Sequence, residues 1–379
     1  MGRRFSLELR LISGVLVAAL AATAVLILRD GAGAEQRCNF RNGLGSFDES
    51  SQPGACWRPY NDSSPFNRGV SSRTPLAAHS ARYANHLLAN GGPAEFVFGD
   101  PARDAGVPIF WSRPGDPRYR LHCTKPWGRC ELEGLRIRIP AEATPAGGFS
   151  TADNEHDAHM TVIDQRKGVE YDMWQVQRKR GSRLEFSWGG KTRIDGNGLG
   201  SDAVAARYGT LAGPIRFTEL RDGEINHALT IAVPCTDRHV YPAVQTGARC
   251  RDAGIPRDYS IPMGAHFRLA LTPAQIDALG LPAYKKALVT ALADYGAYVS
   301  DTTGLQGAWG IEIESSQSYV SFGLPDPWVG WAQSIGVVGE DFDHNGYPEY
   351  RLHYSQGIPW ERLRVVSVCA ARGTCARTR

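Results

Sequence analysis

From Pro108 onward the chain alternates apolar and polar positions in short runs. Such runs occur at 135–139, 159–164, 169–177, 183–188, 224–233, 265–271, 309–314, 350–354 and 363–368. Period-two alternation over five to ten residues, bounded by Gly- and Pro-rich connections, predicts strands with one face buried. Two stretches carry the helical period instead. Residues 74–90 open with Thr74-Pro75 and close on Gly91-Gly92. Thr272-Pro273 starts a second helical pattern that runs to about Tyr298, with a break at Gly280–Pro282. Many short strands with no βαβ rhythm predict a mainly β fold: an antiparallel β-sandwich, jelly-roll-like, with one or two helices packed on it. Residues 35–68, rich in Gly, Ser, Asn, Asp and Pro, read as an extended, disulfide-tethered arm. Residues 69–375 would then form one sandwich domain.

The N-terminus changes the picture by placing that domain. Arg3, Arg4 and Arg10 precede an unbroken apolar stretch from Leu11 to Leu28, and the small-residue run Gly31 to Ala34 follows. This is the layout of a secretory signal over residues 1–34. The stretch is also long enough to remain as a membrane anchor. In either case the basic flank stays inside, and the rest of the chain is secreted or extracytoplasmic. All eight cysteines lie beyond this segment, which predicts four disulfides in an oxidising compartment. On the order of a hundred connectivities are possible. Spacing favours neighbours: Cys38 with Cys56, Cys123 with Cys130, Cys235 with Cys250, and Cys369 with Cys375. Zinc is the rival use, but no C-x-x-C pair is present. Hydrophobic residues make up 42% of the 379, and charged residues 21%, an ordinary globular composition. The net charge of +3, dispersed along the chain, gives no nucleic-acid footprint, and nothing in the pattern asks for an oligomer.

Candidate chemistry lies on four segments. In V-E-Y-D-M-W, Glu170, Asp172 and Trp174 share one face of a strand. The two carboxylates are then about 7 Å apart, near the separation that inverting glycosidases use, and Trp174 offers a flat platform for a sugar ring. The alternative is an ordinary solvent-facing strand. If residues 165–168 are the loop, Thr161 faces Asp172 and His159 joins this face. A slip of one residue removes it. His227 lies among Ile225, Leu229 and Ile231, as a catalytic imidazole or a hydrogen-bonded core histidine. Arg268 reads as a clamp for a carboxylate or phosphate, or as a structural salt bridge. Finally, Asp341, Asp343, Asn345 and Glu349, with Gly346 between them, have the spacing of an extracellular calcium loop. Leu352 stands where an EF-hand needs its bidentate Glu. A strand-joining turn explains the Asn-Gly equally well.

The chain resembles a family of uncharacterised secreted bacterial proteins. The resemblance is carried by S-P-F-N (64–67), D-A-H-M-T-V-I-D (157–164), V-E-Y-D-M-W (169–174), G-E-I-N-H-A-L (223–229), P-M-G-A-H-F-R-L (262–269) and Y-G-A-Y-V-S-D-T-T-G (295–304). It covers most of the exported part. Family members usually carry Arg where His266 stands and Glu at or beside Asp172, and many lack the cysteines. The resemblance implies an exported unit loosely similar to carbohydrate-active jelly-roll proteins, and it adds Asp157 to Trp174 as a substrate-binding candidate. The expectation is a glycan-active hydrolase or lyase with Glu170, Asp172, His159, His227 and Arg268 as catalytic candidates. A polysaccharide or cell-wall glycan would be its partner, and calcium its one candidate cofactor. The alternatives are a non-catalytic glycan- or wall-binding protein and a structural envelope protein.

Overall fold

A computed structural model describes residues 44–89, 92–153, 155–304 and 308–373. The N-terminal apolar stretch, Cys38 and Cys375 lie outside the described residues. The first seven strands are β1 (Phe96–Phe98), β2 (Ile109–Ser112), β3 (Arg118–Cys123), β4 (Arg136–Arg138), β5 (Met160–Asp164), β6 (Val169–Arg180) and β7 (Arg183–Arg193). Six more follow: β8 (Leu229–Val233), β9 (His266–Leu269), β10 (Ala297–Thr302), β11 (Gly310–Ile311), β12 (Tyr350–Leu352) and β13 (Leu363–Val366). The helices are α1 (Ser80–Ala89), α2 (Phe217–Asp222), α3 (Pro273–Ala278), α4 (Ala283–Asp294), α5 (Gln317–Val320), α6 (Pro327–Ser334) and α7 (Val368–Arg372).

The fold is mainly β. A large sheet has the order β2-β5-β6-β7-β3-β4, a second β11-β8-β10-β9-β13, and β1 pairs with β12. Three neighbouring pairs, β2 with β5, β3 with β7 and β8 with β10, are parallel. The expected purely antiparallel arrangement is therefore corrected. Each parallel pair joins strands far apart in sequence, which local alternation does not encode.

One face of the large sheet buries Phe110, Met160, Val162, Tyr171, Met173 and Phe186 against Leu132 and Ile139. The opposite face adds Ile109, Trp111 and Ile163 to a larger core that includes the second sheet's Ile231, Phe267, Val299 and Val365. The arm is anchored to this core: Trp57, Tyr60 and Phe66 are buried in it.

The β5–β6 turn sets the register that decides the site. Asp164 Oδ1 accepts the Lys167 N–H at 3.0 Å, and Gly168 takes φ +65°, where a side chain would be strained. The loop is therefore 165–168. Asp164 pairs with Val169, Ile163 with Glu170 and Thr161 with Asp172.

Three element boundaries differ from expectation. Residues 224–228 are not strand, because His227 is drawn into a buried polar cluster. Residues 74–79 precede α1, and Ala77 N–H bonds Val365 O at 2.9 Å beside β13. The helical pattern ends in α4 at Asp294. Gly296 (φ +78°) then turns the chain into β10, which pairs with both β8 and β9. Cys123–Cys130 and Cys235–Cys250 are bonded as neighbours. Cys56 and Cys369 are disulfide-bonded too.

Candidate functional site

The inner face of β5 and β6 runs from a sealed carboxyl pair outward to an open cleft. Glu170 and Asp172 are fully buried. Tyr60 Oη donates to Glu170 Oε2 at 2.6 Å, and Leu211 N–H donates to Oε1 at 2.9 Å. Ser201 Oγ donates to Asp172 Oδ2 at 2.5 Å, and Thr161 Oγ1 to Oδ1 at 3.0 Å. The Thr210 hydroxyl bonds Asp172 and lies 3.4 Å from Glu170 Oε1. Gly209 completes the seal: a Cβ there would meet Tyr60 Oη at 2.1 Å. Burial, and then the Asp172 charge, push the Glu170 carboxyl well above its ordinary range. Burial also raises Asp172, against the hydrogen bonds it accepts. A polymer has no route to these oxygens. The pair fastens the arm and the 199–212 loop to the sheet.

Further out on the same face, His159 reaches the cleft, with its Nδ1 buried and without a hydrogen-bond partner. The ladder stops at Met160–Met173. Beyond it Ala158 and Gln175 take φ of +39° and +51°, and Gln175 N–H bonds Asp157 O at 2.7 Å. This kink brings Asp157 Oδ1 to 3.0 Å from the Trp174 indole N–H. Trp174 stacks on Trp127, with centroids 5.7 Å apart, and Trp188 leans on Trp127 at 5.8 Å. Trp127 is 58% exposed, so an aromatic platform stands in solvent beside Asp157.

The cleft has a volume of 480 Å³ and is lined by eight carboxylates: Glu95, Asp100, Asp104, Asp157, Asp301, Glu312, Glu314 and Asp326. Arg103 and His159 face them. Asp301 comes from β10. Between the pairs Val299–Ile231 and Asp301–Ala232 the ladder skips Ser300, a bulge that re-aims the next side chain. Asp301 accepts from Thr302 N–H at 2.7 Å and Ala205 N–H at 3.2 Å. Burial pushes its carboxyl up to about 7. Those N–H groups oppose the rise, and the charges of Glu312 and Asp157 add to it. Glu312 is held by Ser300 Oγ at 2.5 Å and Thr230 Oγ1 at 2.9 Å. Burial also brings Glu314 to about 7, although Phe217 N–H donates to it at 2.9 Å.

His227 and Arg268 lie apart from the cleft, and the calcium-loop residues meet Asp100 and Arg103 of its lining. His227 is a core histidine. Its Nε2 lies 3.0 Å from Glu219 Oε1 and its Nδ1 2.9 Å from Ala228 O, and Arg216 pairs with the same carboxylate at 2.6 Å. Arg268 is buried on β9, where its guanidinium donates to Ser71 O. No ion pair within 4 Å accompanies that contact among the described residues, although the Asp294 charge acts on the guanidinium. Of the calcium-loop residues, Asp343 and Glu349 converge with Asp100 to within 4.8 Å. Arg103 lies among these three carboxylates, 3.1 Å from Asp343 and 3.0 Å from Glu349. Arg351 adds a contact to Glu349 at 2.8 Å. Asp341 accepts the Asn345 and Gly346 N–H groups, and the Asn345 amide donates to Asp100. Guanidinium groups thus lie among the carboxylates that converge, and Asp341 closes the turn.

Sequence reasoning missed Asp301, Glu312, Trp127 and Trp188. A signal for Glu312 was available: W-G-I-E-I-E repeats the alternating carboxylate pattern of V-E-Y-D-M-W. No family model, curated protein or solved structure matches this chain. The disulfides are consistent with an extracytoplasmic location. Among the described residues no helix is long and apolar enough to cross a membrane.

Proposed function

We propose that the protein is a secreted glycan-active hydrolase. Its acid–base pair is Asp301 and Asp157, and its sugar platform is the Trp127–Trp174–Trp188 stack. The reading follows from one observation. A cleft carboxyl is held near pH 7 by burial and by two neighbouring carboxylates, and one of those neighbours is hydrogen-bonded to an exposed tryptophan stack. A carboxyl whose proton burial holds on is suited to act as general acid, with a second cleft carboxylate as the base. Protonated Asp301 donates to the glycosidic oxygen as the bond to the anomeric carbon breaks. The Asp157 carboxylate takes a proton from the water that attacks that carbon, so two sugar ends leave and one water is consumed. His159 lines the same cleft. The shared core of the two large sheets supports the sandwich architecture expected for such a protein.

The test is turnover on a polysaccharide panel. Asp301→Asn and Asp157→Asn each abolish product formation without lowering the melting temperature, and Glu170→Gln retains turnover. Full activity in Asp301→Asn rejects the assignment. The tryptophan stack by itself also fits a non-catalytic glycan-binding protein. That reading gains if oligosaccharides bind and mass spectrometry detects no cleavage.

A further inference from the structure

A second groove, of 770 Å³, is lined by Arg113, Arg118, Arg136, Arg138, Arg166 and Lys167, against only Asp48 and Asp164. Three of these cations already have partners. Arg113 pairs with Glu49 at 3.0 Å and Asp116 at 3.4 Å, Lys167 pairs with Asp164 at 3.3 Å, and Arg138 donates to Asp116 O at 2.5 Å. The side chains of Arg118, Arg136 and Arg166 are exposed and make no ion pair or hydrogen bond among the described residues.

Two of the three belong to an unusual ladder. On β3 and β4, Arg118 stands opposite Arg138, and Arg120 opposite Arg136. The intervening Tyr119, Leu121 and Ile137 turn to the smaller core, so all four guanidinium groups share the other face. Like charges directly across a ladder destabilise a sheet. The folded protein alone gains nothing from this pattern, whereas an anionic ligand laid over it would.

We propose that this groove binds a linear acidic polysaccharide whose carboxylate or sulfate groups are taken by the arginine forks of β3 and β4. Arginine outnumbers lysine in the lining, and its planar donor pair suits two-oxygen anions. Neighbouring charges lie about 5 Å apart across the strands and about 7 Å along them, which suits one acidic group per sugar. Nucleic acid fits less well. The one aromatic ring in the lining, Phe47, is packed on Trp57 and Trp111, leaving no stacking surface for bases. The inference is independent of chemistry at the acidic cleft.

Calorimetric titration of the full chain with polygalacturonate, dextran sulfate, neutral dextran and a single-stranded oligonucleotide tests it. One or both acidic polymers bind, and the tighter of the two shows whether carboxylate or sulfate is preferred. Dextran does not bind. The Arg118→Ala/Arg136→Ala double variant weakens binding about tenfold, as expected for losing two charge-assisted contacts. Its melting temperature does not fall, because both side chains are exposed and their removal relieves like-charge repulsion. Three results overturn the proposal: no acidic polymer binds, the double variant binds as tightly as the native protein, or dextran or the oligonucleotide binds as tightly as the acidic polymers.

Discussion

Replacing Glu170 by Gln tests whether the buried carboxyl pair is a structural fastening and not a catalytic dyad. The two side chains have nearly the same shape. Gln can still accept the Leu211 N–H, and the Tyr60 hydroxyl can accept from its amide. At low pH, where the native carboxyl is protonated in both the folded and the unfolded chain, the exchange is close to neutral. Above the ordinary carboxyl value of 4.5 the unfolded chain ionises while the folded one resists, because burial and Asp172 hold its proton on. A carboxyl raised on folding contributes stability at low pH that is lost as pH rises. The native protein therefore loses up to about 1.4 kcal/mol per pH unit from this group, until the folded carboxyl itself ionises. Gln has no such dependence, so the variant's advantage grows from pH 4.5 upward and then levels off. Urea unfolding followed by tryptophan fluorescence, in unit pH steps for both proteins, measures the difference directly. Shared titrations such as those of Asp301 and Glu314 cancel in the subtraction. A difference that stays constant with pH, or shrinks as pH rises, refutes the reasoning.

Tyr60→Phe removes the donor to Glu170 Oε2 without leaving a cavity. It costs about 1–3 kcal/mol in urea unfolding, and the arm becomes more accessible to protease. Glu219 behaves oppositely to Glu170. Burial alone would raise it, but Arg216 and then His227 hold it at about 2. Its contribution of about 3 kcal/mol is present above pH 4.5 and lost as pH falls toward 2. A Glu219→Gln variant therefore shows a flatter acid limb in thermal melts. Trp127→Ala weakens oligosaccharide binding in titration calorimetry and leaves the melting temperature unchanged, because the ring is 58% exposed. Arg103→Met leaves the Asp100, Asp343 and Glu349 cluster without its shared cation. It lowers the midpoint of denaturant unfolding, because two of those carboxylates are almost fully buried.

Two strands show how far local pattern reaches. V-E-Y-D-M-W and W-G-I-E-I-E both place carboxylates at alternate positions: Glu170 and Asp172 share one face of β6, and Glu312 and Glu314 both line the cleft. Pattern cannot say what covers that face. The 199–212 loop and Tyr60 close over the first pair, whereas Glu312 in the second lines an open cleft with Asp301. The register of β5 with β6 was conditional on the length of one loop, and the Asp164–Gly168 turn supplied the condition. His227 was legible as a core histidine. Its partner Glu219 was not, since it arrives from the helix α2, for which the sequence pattern gave no strong signal.

What the chain determined on its own is what depends on near neighbours: strand alternation, the α3 start at Thr272-Pro273, and the two short cysteine pairings. Each is fixed by interactions within about twenty residues, so local chemistry suffices. The tertiary structure decided the rest. It chose the parallel partners, converted the end of a helical pattern into the central strand β10, sealed Glu170 and Asp172, and gathered Asp157, His159, Asp301 and Glu312 at one opening. These outcomes turn on which distant surface excludes water from which side chain. Burial of that kind belongs to the assembled core, and no local stretch of sequence carries it.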